Sequence, residues 1–338
     1  MQKTSFTYTL NKEQQETLVN LLQSGNYRPC KVPYTIIAVD AVSWNCYVNL
    51  YISGKVLIQG KGAQEFVLNI LEPMVLGAAM LGYEGILNPE SVAPHMGTDE
   101  SGKGDFFGPM VIAAAYTNEE LSKQMMNIGV RDSKLISNDS QAMKLGAEIR
   151  KLLGENRYTI VRIGNPSYNK LYAKMRSVNR LLSWGHARCI ENLLMTVPSC
   201  PRAISDQFAH SKNAIAHALM QKGKTIELVQ MHRAESDIAV AAASVLAREG
   251  FLRSLQQMKQ LYGLDFPKGA TDQTRAAAQA LIKRRGPHVL IDVAKCHFKT
   301  TDAILSAMGL SRTDLPEDGQ VMSQENAARY WKGKKEEE

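Results

Sequence analysis

From residue 95 onward the chain alternates between segments with strand-like and helix-like patterns, and this alternation constrains the fold more than any other feature. It is typical of an α/β domain, in which helices pack on the faces of a sheet. The strands are predicted near Met96–Asp99, Pro109–Tyr116, Tyr158–Ile163, Arg202–Asp206 and Thr225–Met231. The helices are predicted near Glu119–Ile128, Ser140–Leu153, Pro166–Ala173, Val178–Met195, Lys212–Gln221, Asp237–Tyr262 and Asp272–Arg284. We therefore expect the fold class α/β.

Residues 1–88 carry a separate and smaller α/β pattern. Strand-like stretches rich in Val, Ile and Tyr are expected between two helices. The strands are predicted at Tyr34–Val39, Cys46–Ile52 and Lys55–Gln59, and the helices at Lys12–Gln23 and Ala63–Leu81. Pro73 lies inside the second helical pattern and is expected to kink or split that helix.

Residues that break regular structure mark the boundary between the two patterns. Asn88-Pro89 and Pro94 lie within seven residues of one another, and such residues favour loops over helices and strands. We expect one domain over 1–88, a linker over 89–94, a second domain over 95–310 and a polar, mobile tail over 311–338.

The basic surplus of the chain is confined to the part after residue 94. Residues 1–94 hold 6 of the 40 Lys and Arg residues and 7 of the 33 Asp and Glu residues, so the net charge of +7 arises in the remainder. A surplus of this kind favours a polyanionic partner, although it says nothing about the fold.

Cysteine usage and hydropathy indicate the cellular setting. The five cysteines are scattered and form no Cys-x-x-Cys pair, which favours neither a disulfide framework nor a zinc site. No apolar run is long and uninterrupted enough to span a membrane. We expect a cytoplasmic protein that acts as a monomer and has no membrane partner.

The densest group of candidate functional residues is the stretch Asp99–Asp105, which precedes an apolar strand. The adjacent carboxylates of Asp99 and Glu100 suit hard divalent cations, which bind through oxygen. The N–H groups of the Gly102-Lys103-Gly104 turn can hold a phosphate or a hydroxyl. Together these residues favour metal-assisted phosphate chemistry, while the alternative is a solvated acidic turn.

A phosphate-binding loop is a second interpretation of the same stretch. Gly97, Gly102 and Lys103 satisfy the spacing Gly-x-x-x-x-Gly-Lys. That motif requires Ser or Thr next, to reach magnesium, whereas this chain has Gly104. It would also place two carboxylates against nucleotide phosphates, and like charge opposes that arrangement. A nucleoside triphosphatase is therefore the weaker hypothesis.

Two further carboxylates end strand-like runs. Asp206 ends Arg202–Asp206, and Glu235 directly precedes a helix rich in small residues. Sites in α/β domains form where strands end at one edge of the sheet, so these acids can converge with the first pair. Asp237 competes with Glu235, although it is also a good residue to begin a helix.

Several motifs in the same order resemble the ribonuclease HIII family. They are Asp99–Asp105 with Gly108-Pro109, Arg131–Leu135, Ala234-Glu235-Ser236 with Val240–Arg248, Phe266–Ala270 and Val293–Phe298. The related ribonuclease HII family has alanine and arginine where this chain has Ser101 and Lys103, which favours type III. The segment 1–88 also resembles, in the order of its elements, the TATA-binding-protein-like domain of type III enzymes.

The resemblance implies a ribonuclease H fold and an endonuclease that cuts the RNA strand of an RNA/DNA hybrid, leaving 5′-phosphate and 3′-hydroxyl ends. It implies four carboxylates, Asp99, Glu100, Asp206 and Glu235, that hold two Mg²⁺ or Mn²⁺ ions, with Asp237 as the substitute for Glu235. The expected substrate-binding residues are Ser101, Gly102, Lys103, Gly104, Lys134 and Lys268.

Three histidines have no ligand spacing among them, and we interpret His186, His288 and His297 as structural or surface residues. A non-catalytic protein that binds hybrid or RNA remains the alternative from another functional class, with the basic segment contacting the nucleic-acid backbone.

Overall fold

The computed structural model describes residues 4–77, 92–130, 136, 138–206, 214–231, 234 and 237–323. Contacts between Cα atoms divide the chain into two compact units, 1–91 and 92–338. Each unit contains a five-stranded sheet, so the α/β class predicted from the sequence is confirmed. No helix within the described residues is long and apolar enough to cross a membrane.

The first unit contains an antiparallel sheet. Its strands are β1 (Ser5–Thr9), β2 (Arg28–Pro29), β3 (Thr35–Ala41), β4 (Cys46–Tyr51) and β5 (Lys55–Gly60). They lie in the order β1-β5-β4-β3-β2. The patterns of β3, β4 and β5 are those predicted, whereas β1 and the two-residue β2 carry too little signal to be found from sequence. Because strand residues alternate between faces, Val48 and Leu50 are buried while Tyr47 lies on the opposite, open face.

Two helical segments supply the apolar side of this unit. Helix α1 (Lys12–Ser24) begins at Asn11, whose side chain accepts a hydrogen bond from the Gln14 N–H as an N-cap. Helix α2 (Ala63–Phe66) passes directly into a π-helical segment, Val67–Leu76, that contains Pro73. Proline removes one backbone donor and clashes with the preceding turn, so the wider winding replaces the kinked α-helix predicted over 63–81. Residues 78–81 lie outside the described residues.

The second unit contains a mixed sheet. Its strands are β6 (His95–Ser101), β7 (Met110–Thr117), β8 (Tyr158–Ile163), β9 (Arg202–Asp206) and β10 (Glu227–Met231). They lie in the order β10-β9-β6-β7-β8, in which β10, β9 and β6 run parallel and β7 and β8 pair antiparallel. The sheet therefore places β6 in its middle.

Helices cover both faces of this sheet. They are α3 (Glu119–Asn127), α4 (Asp139–Leu153), α5 (Asn165–Met175), α6 (Val178–Thr196), α7 (Ala214–Ala218), α8 (Ile238–Tyr262), α9 (Asp272–Arg285), α10 (Leu290–Val293), α11 (Lys299–Ser306) and α12 (Glu317–Gln320). On β7, Ile112 packs in one core with α6, and Val111 packs in the other core with α8. Burial on both faces explains why this strand is a continuous apolar run.

The end of the second unit differs from the expected polar tail. Over residues 311–323 the chain packs back on the fold, with Leu315 buried. The guanidinium of Arg312 donates to the Cys296 carbonyl at 2.9 Å and to Asp302 Oδ2 at 2.9 Å. A few anchoring contacts of this kind do not produce a periodic apolar pattern, so the sequence gives little sign of them. Residues 324–338 lie outside the described residues.

Strand β6 and helix α8 come into close backbone contact next to the candidate site residues. A Cβ atom at Gly97 would lie 2.1 Å from the Val240 nitrogen and 2.3 Å from the Ala239 carbonyl carbon. Glycine at 97 and alanines at the start of α8 thus let β6 and α8 touch through their backbones. This contact fixes the height of β6 against the helix two residues before Asp99.

Candidate active site

Two consecutive carboxylates lie at the end of the central strand β6. Asp99 accepts a hydrogen bond from the side chain of Ser244 on α8, and its Oδ1 accepts from the Glu100 N–H at 2.8 Å. Glu100 Oε2 lies 3.1 Å from Nε2 of His186 on α6. Because neighbouring residues of a strand face opposite sides, a helix on each face of the sheet holds one of the two carboxylates.

His186, interpreted from the sequence as a structural or surface residue, also contacts Glu100 of the candidate site. It is buried, and its Nδ1 lies 2.8 Å from the Thr98 hydroxyl while its Nε2 meets Glu100. A carboxylate can only accept, so Nε2 carries the proton and donates to Glu100. The two partners are 86 residues apart in sequence, and only the packing of α6 on the sheet reveals the pair.

The two carboxyl groups differ in their electrostatics. Burial, followed by the negative charge of Glu100, raises the pKa of Asp99 to about 6. Burial acts in the same direction on Glu100, but the hydrogen bond and charge of His186 and the charge of Lys103 outweigh it and lower the pKa of that carboxyl. The Lys103 ammonium lies 3.6 Å from Glu100 Oε1.

Asp206 lies on the neighbouring strand at the level of Asp99. The parallel pairing of β6 and β9 matches Thr98 with Ser205, so the next residues on the two strands are Asp99 and Asp206. Residues in register on parallel strands face the same side, and adjacent strands are about 4.8 Å apart. The structure therefore brings the end of β9 beside the Asp99–Glu100 pair, as the sequence predicts for strand-terminal acids.

The two candidates for a fourth ligand differ in what the structure records. Glu235 lies outside the described residues. Asp237 is the N-cap of α8, where its Oδ1 accepts from the Ala239 and Val240 N–H groups. Its Oδ2 lies 2.9 Å from Nε2 of the buried His95. Both carboxylate oxygens of Asp237 thus already have partners.

The donor set fits a hard divalent cation. Asp99, Glu100 and Asp206 offer only carboxylate oxygens, which suit Mg²⁺ or Mn²⁺ better than softer ions. Within the described ranges, no group of three or more His, Cys, Asp and Glu side chains is placed to hold an ion. Asp99, Glu100 and Asp206 are therefore candidate ligands by the chemistry of their oxygens, and their arrangement alone does not form an ion site.

The turn after β6 has the shape of a binding loop. Ser101 is the last residue of β6 and pairs with Val111. Gly102 has φ +88°, and a Cβ atom there would lie 2.4 Å from the Pro109 oxygen. Among the described residues, nothing lies within 4 Å of the Cβ position of Gly104, so these residues leave room for a ligand backbone to approach the turn. The Lys103 side chain is 40% exposed.

The phosphate-binding-loop hypothesis is wrong. Residues 97–101 belong to β6, and the following turn leads into β7 rather than into a helix. A phosphate-binding loop requires a strand, a loop and then the N-terminus of a helix. The spacing of Gly97, Gly102 and Lys103 is therefore coincidental.

Of the two outlying lysines, only Lys268 is described, since Lys134 lies outside the described residues. The Lys268 ammonium contacts both oxygens of Asp139, at 2.7 and 3.0 Å. Arg248 shares the same carboxylate at 2.9 Å. Lys268 is half exposed, so a phosphate would have to compete with Asp139 for it.

The other two histidines match the interpretation as structural or surface residues. His288 is exposed. His297 is buried and stacks on Tyr172 with ring centroids 4.2 Å apart. Burial, then the positive charges of Lys295 and Arg312, lowers the pKa of His297 to about 3, so its ring stays neutral.

Comparisons with known proteins agree with this geometry. Residues 96–301 match the family model described as Ribonuclease HII. The chain is 38% identical over 304 residues to the ribonuclease HIII of Protochlamydia amoebophila (strain UWE25), covering 90% of this chain and 98% of the relative. It is 38% identical over 302 residues to that of Chlamydia pneumoniae, covering 89% and 98%.

A solved structure extends the likeness to the fold. The crystal structure of Bst-RNase HIII in complex with Mn²⁺ matches with a TM-score of 0.62 and 26% identity, covering 90% of this chain and 99% of the other. The similarity spans both units, and the resemblance drawn from the sequence motifs is confirmed. With acidic residues at the end of its central strand and relatives matched over nearly their whole length, this chain belongs to the ribonuclease HIII family and is a ribonuclease H enzyme.

Proposed function

We propose that this ribonuclease H cuts the RNA strand of RNA/DNA hybrids internally, with two divalent ions held by Asp99, Glu100, Asp206 and Glu235. One observation carries the proposal: Asp99 and Glu100 lie in the last three residues of β6, and Asp206, which ends the neighbouring parallel strand, lies at the level of Asp99. The crystal structure of Bst-RNase HIII in complex with Mn²⁺ supports dependence on a divalent ion. Glu235 is preferred over Asp237, whose oxygens are already bound.

Bound Mg²⁺ or Mn²⁺ ions would activate the attacking water and stabilise the departing 3′ oxygen, which leaves 5′-phosphate and 3′-hydroxyl ends. The protein's own part is to hold the carboxylates. Ser244 fixes Asp99, and His186 fixes Glu100 through a proton on Nε2. Such preorganised side chains need no rearrangement when charge develops on the scissile phosphate.

The turn Ser101–Gly104 supplies the substrate contacts in this proposal. Its backbone N–H groups and the Lys103 ammonium would face the sugar and phosphate edges of the hybrid. The 2′-hydroxyl distinguishes RNA from DNA, so strand choice is assigned to this turn. Lys134 and Lys268 are proposed phosphate contacts, and Lys268 must first leave Asp139.

The first unit is proposed to bind the hybrid without taking part in the chemistry. Tyr47 is 52% exposed on the open face of its sheet, and Tyr34 is 82% exposed. Rings of this kind can pack on sugars and bases. Trp44 instead packs edge-on against Phe66 at 6.0 Å, which assigns it to the core of that unit. We place this activity in the cytoplasm, in a monomer.

A cleavage assay tests the proposal. The full chain with Mg²⁺ or Mn²⁺ is given an end-labelled hybrid, a DNA duplex and a DNA duplex with one ribonucleotide. We expect cleavage of the hybrid, none of the DNA and poor cleavage at the single ribonucleotide. Chelation of the metal should stop the reaction. Binding of hybrid without metal-dependent cleavage would restore the non-catalytic alternative.

Removal of residues 1–91 tests the role of the first unit. The remaining chain should bind hybrid more weakly, and its affinity should fall less steeply with salt, by about one unit of slope for each phosphate that the first unit neutralises. Unchanged affinity with an unchanged salt slope would show that the first unit does not bind the substrate.

A further inference from the structure

The loop that follows the proposed substrate-binding turn contacts a segment that is distant in sequence. Gly108 N–H donates to the Val293 carbonyl at 2.9 Å, and the Lys295 N–H donates to the Phe106 carbonyl at 2.8 Å. Phe107 and Ala294 form an isolated antiparallel bridge between these bonds. The loop from β6 to β7 therefore has a short backbone partner at 293–295.

The side chain of Lys295 adds a second connection to the same loop. Its ammonium donates to the Asp105 carbonyl at 2.9 Å and to the Gly108 carbonyl at 2.6 Å. Asp105 directly follows Gly104, and Gly108 directly precedes Pro109, which contacts Gly102. One ammonium group thus joins both ends of the segment that closes the turn.

Burial makes this connection unusual. Lys295 is completely buried, and its charge faces the rings of Tyr168 and Phe251 at 5.8 and 6.0 Å from their centroids. A buried ammonium is unfavourable unless its protons have acceptors. The negative charge of Asp105 offsets part of this cost, but the acceptors of the ammonium's hydrogen bonds are neutral carbonyls, so packing alone would favour an apolar side chain here.

The surroundings show what Lys295 adds to the loop. The Phe251 ring already closes one side, since a Cβ atom at Gly102 or Gly108 would lie 2.9 Å from it. The Asn165 side chain also donates to the Gly108 carbonyl, at 2.9 Å. The carbonyl of Asp105, next to the open position at Gly104, is held by the Lys295 ammonium.

We propose that Lys295 is a positioning residue, which sets the shape of the Gly102-Lys103-Gly104 turn by binding the carbonyls of Asp105 and Gly108 together. The inference rests on the proposed role of that turn in substrate binding. It assigns Lys295 to the placement of the hybrid and not to the metal site, because Asp99 and Glu100 are held separately by Ser244 and His186.

The test is the variant Lys295→Met, which keeps the length of the side chain and removes its donors. With Mn²⁺ and a labelled hybrid, we expect KM to rise about tenfold while kcat stays within about threefold of the wild type. The Mn²⁺ concentration for half-maximal activity should not change. A tenfold fall of kcat with an unchanged KM would overturn the proposal.

A matched control and a second variant complete the experiment. Lys299→Met removes an exposed lysine four residues away and should leave KM unchanged; an equal rise in both variants would show a general charge effect and overturn the proposal. Lys295→Gln retains a neutral donor and should give an intermediate KM. If Lys295→Met does not unfold cooperatively, Lys295→Gln takes its place in the test.

Hydrogen exchange provides a readout that does not depend on activity. In Lys295→Met or Lys295→Gln, the amides of 102–108 should exchange at least threefold faster than in the wild type, whereas those of β6 and β7 should not change. Wild-type exchange together with a wild-type KM would overturn the inference. Absence of hybrid cleavage by the wild-type chain would instead contradict the proposed function.

Discussion

The sheet of residues 5–60 and the sheet of residues 95–231 both have five strands, but they bury different kinds of side chain. Among the described residues, the first unit buries only Asn49 and Glu72 outside its apolar core. The second unit buries several titratable side chains, namely His95, His186, Glu191, Glu249, Lys295 and His297. Charge in a protein interior is stable only where partners surround it, so the second unit depends on fixed internal pairs.

Under the proposed function, this difference in buried side chains corresponds to different roles of the two units. In the second unit, internal pairs such as His186 with Glu100 and Arg150 with Glu249 set the geometry of side chains. In the first unit, an apolar interior supports exposed rings such as Tyr47. We expect changes inside the second unit to alter turnover, and changes on the surface of the first unit to alter affinity.

The largest expected effect is that of Asp99→Asn. Loss of one ligand charge removes several kcal/mol of transition-state stabilisation, so hybrid cleavage should fall about 1,000-fold or more while hybrid binding remains. Single-turnover kinetics measure the cleavage rate, and a binding assay without cleavage measures the affinity for hybrid. The exposed Asp265, changed to Asn, is the control. A variant that keeps a tenth of wild-type turnover would contradict the assigned site.

Glu235→Gln and Asp237→Asn sharpen the assignment of the fourth ligand. We expect Glu235→Gln to lower kcat by about 100-fold or more. Asp237→Asn should change kcat by less than tenfold but lower the free energy of unfolding by about 2 kcal/mol, since it weakens the bond to His95. Steady-state kinetics and urea unfolding measure these effects. A reversed ranking in kcat would move the ligand to Asp237.

His186→Leu tests whether an internal pair controls turnover. Removal of the donor to Glu100 should lower kcat or the affinity for Mn²⁺ by about 10- to 100-fold, as for other residues that orient a metal ligand. His186→Gln, which can still donate, should recover part of the activity. If His186→Leu folds and retains wild-type kcat and Mn²⁺ affinity, the pair with Glu100 is only structural.

Tyr47→Ala tests the other half of the comparison. The hybrid Kd should rise about tenfold, because stacking of one ring contributes on the order of 1–3 kcal/mol, and kcat at saturating hybrid should not change. Val42→Ala, at an exposed position of the same unit outside the strands, should leave Kd unchanged. An effect on kcat instead of Kd would break the division between the two units.

The smallest expected effect is a pH dependence of stability. Burial lowers the pKa of Lys295 from 10.5 to about 7, so between pH 7 and 10.5 the unfolded chain binds more protons than the folded one. Stability from this group therefore rises with pH across that window, by about 1 kcal/mol per pH unit. In urea unfolding, the free energy of unfolding of the wild type relative to that of Lys295→Met should be higher at pH 9.5 than at pH 7.5. Equal relative free energies at the two pH values would contradict the prediction.

Local patterns were enough to predict the elements that carry the site. The strand near Asp99, the strand ending at Asp206 and the helix after Asp237 follow from apolar runs and a capping residue, and the structure has all three. The motifs around Asp99–Asp105 also identified the family. Each of these signals is contained in a short stretch of consecutive residues, which is why sequence alone reveals it.

The supports of the site could not be predicted, because they join residues far apart in sequence. Lys295 lies in one of the family motifs, Val293–Phe298, but neither that motif nor the helix around His186 specifies their partners, Gly108 and Glu100, which are 187 and 86 residues away. The sequence likewise predicts a kink or break at Pro73 but not the π-helical winding that takes its place. Spacing rules describe local geometry and not the partners that a fold brings together.

The hydrogen bond between Lys295 and Gly108 has a consequence for the order in which parts of the chain fold during synthesis. Ribosomes add about 5–20 residues per second, so the loop after β6 emerges about 10–40 s before its lysine is synthesised. The five strands within residues 5–60 form one sheet among themselves, so we expect this sheet to fold in that interval. Lys295 lies in the last fifth of the second unit, so we expect the turn after β6 to take its final shape only when the nascent chain is nearly complete.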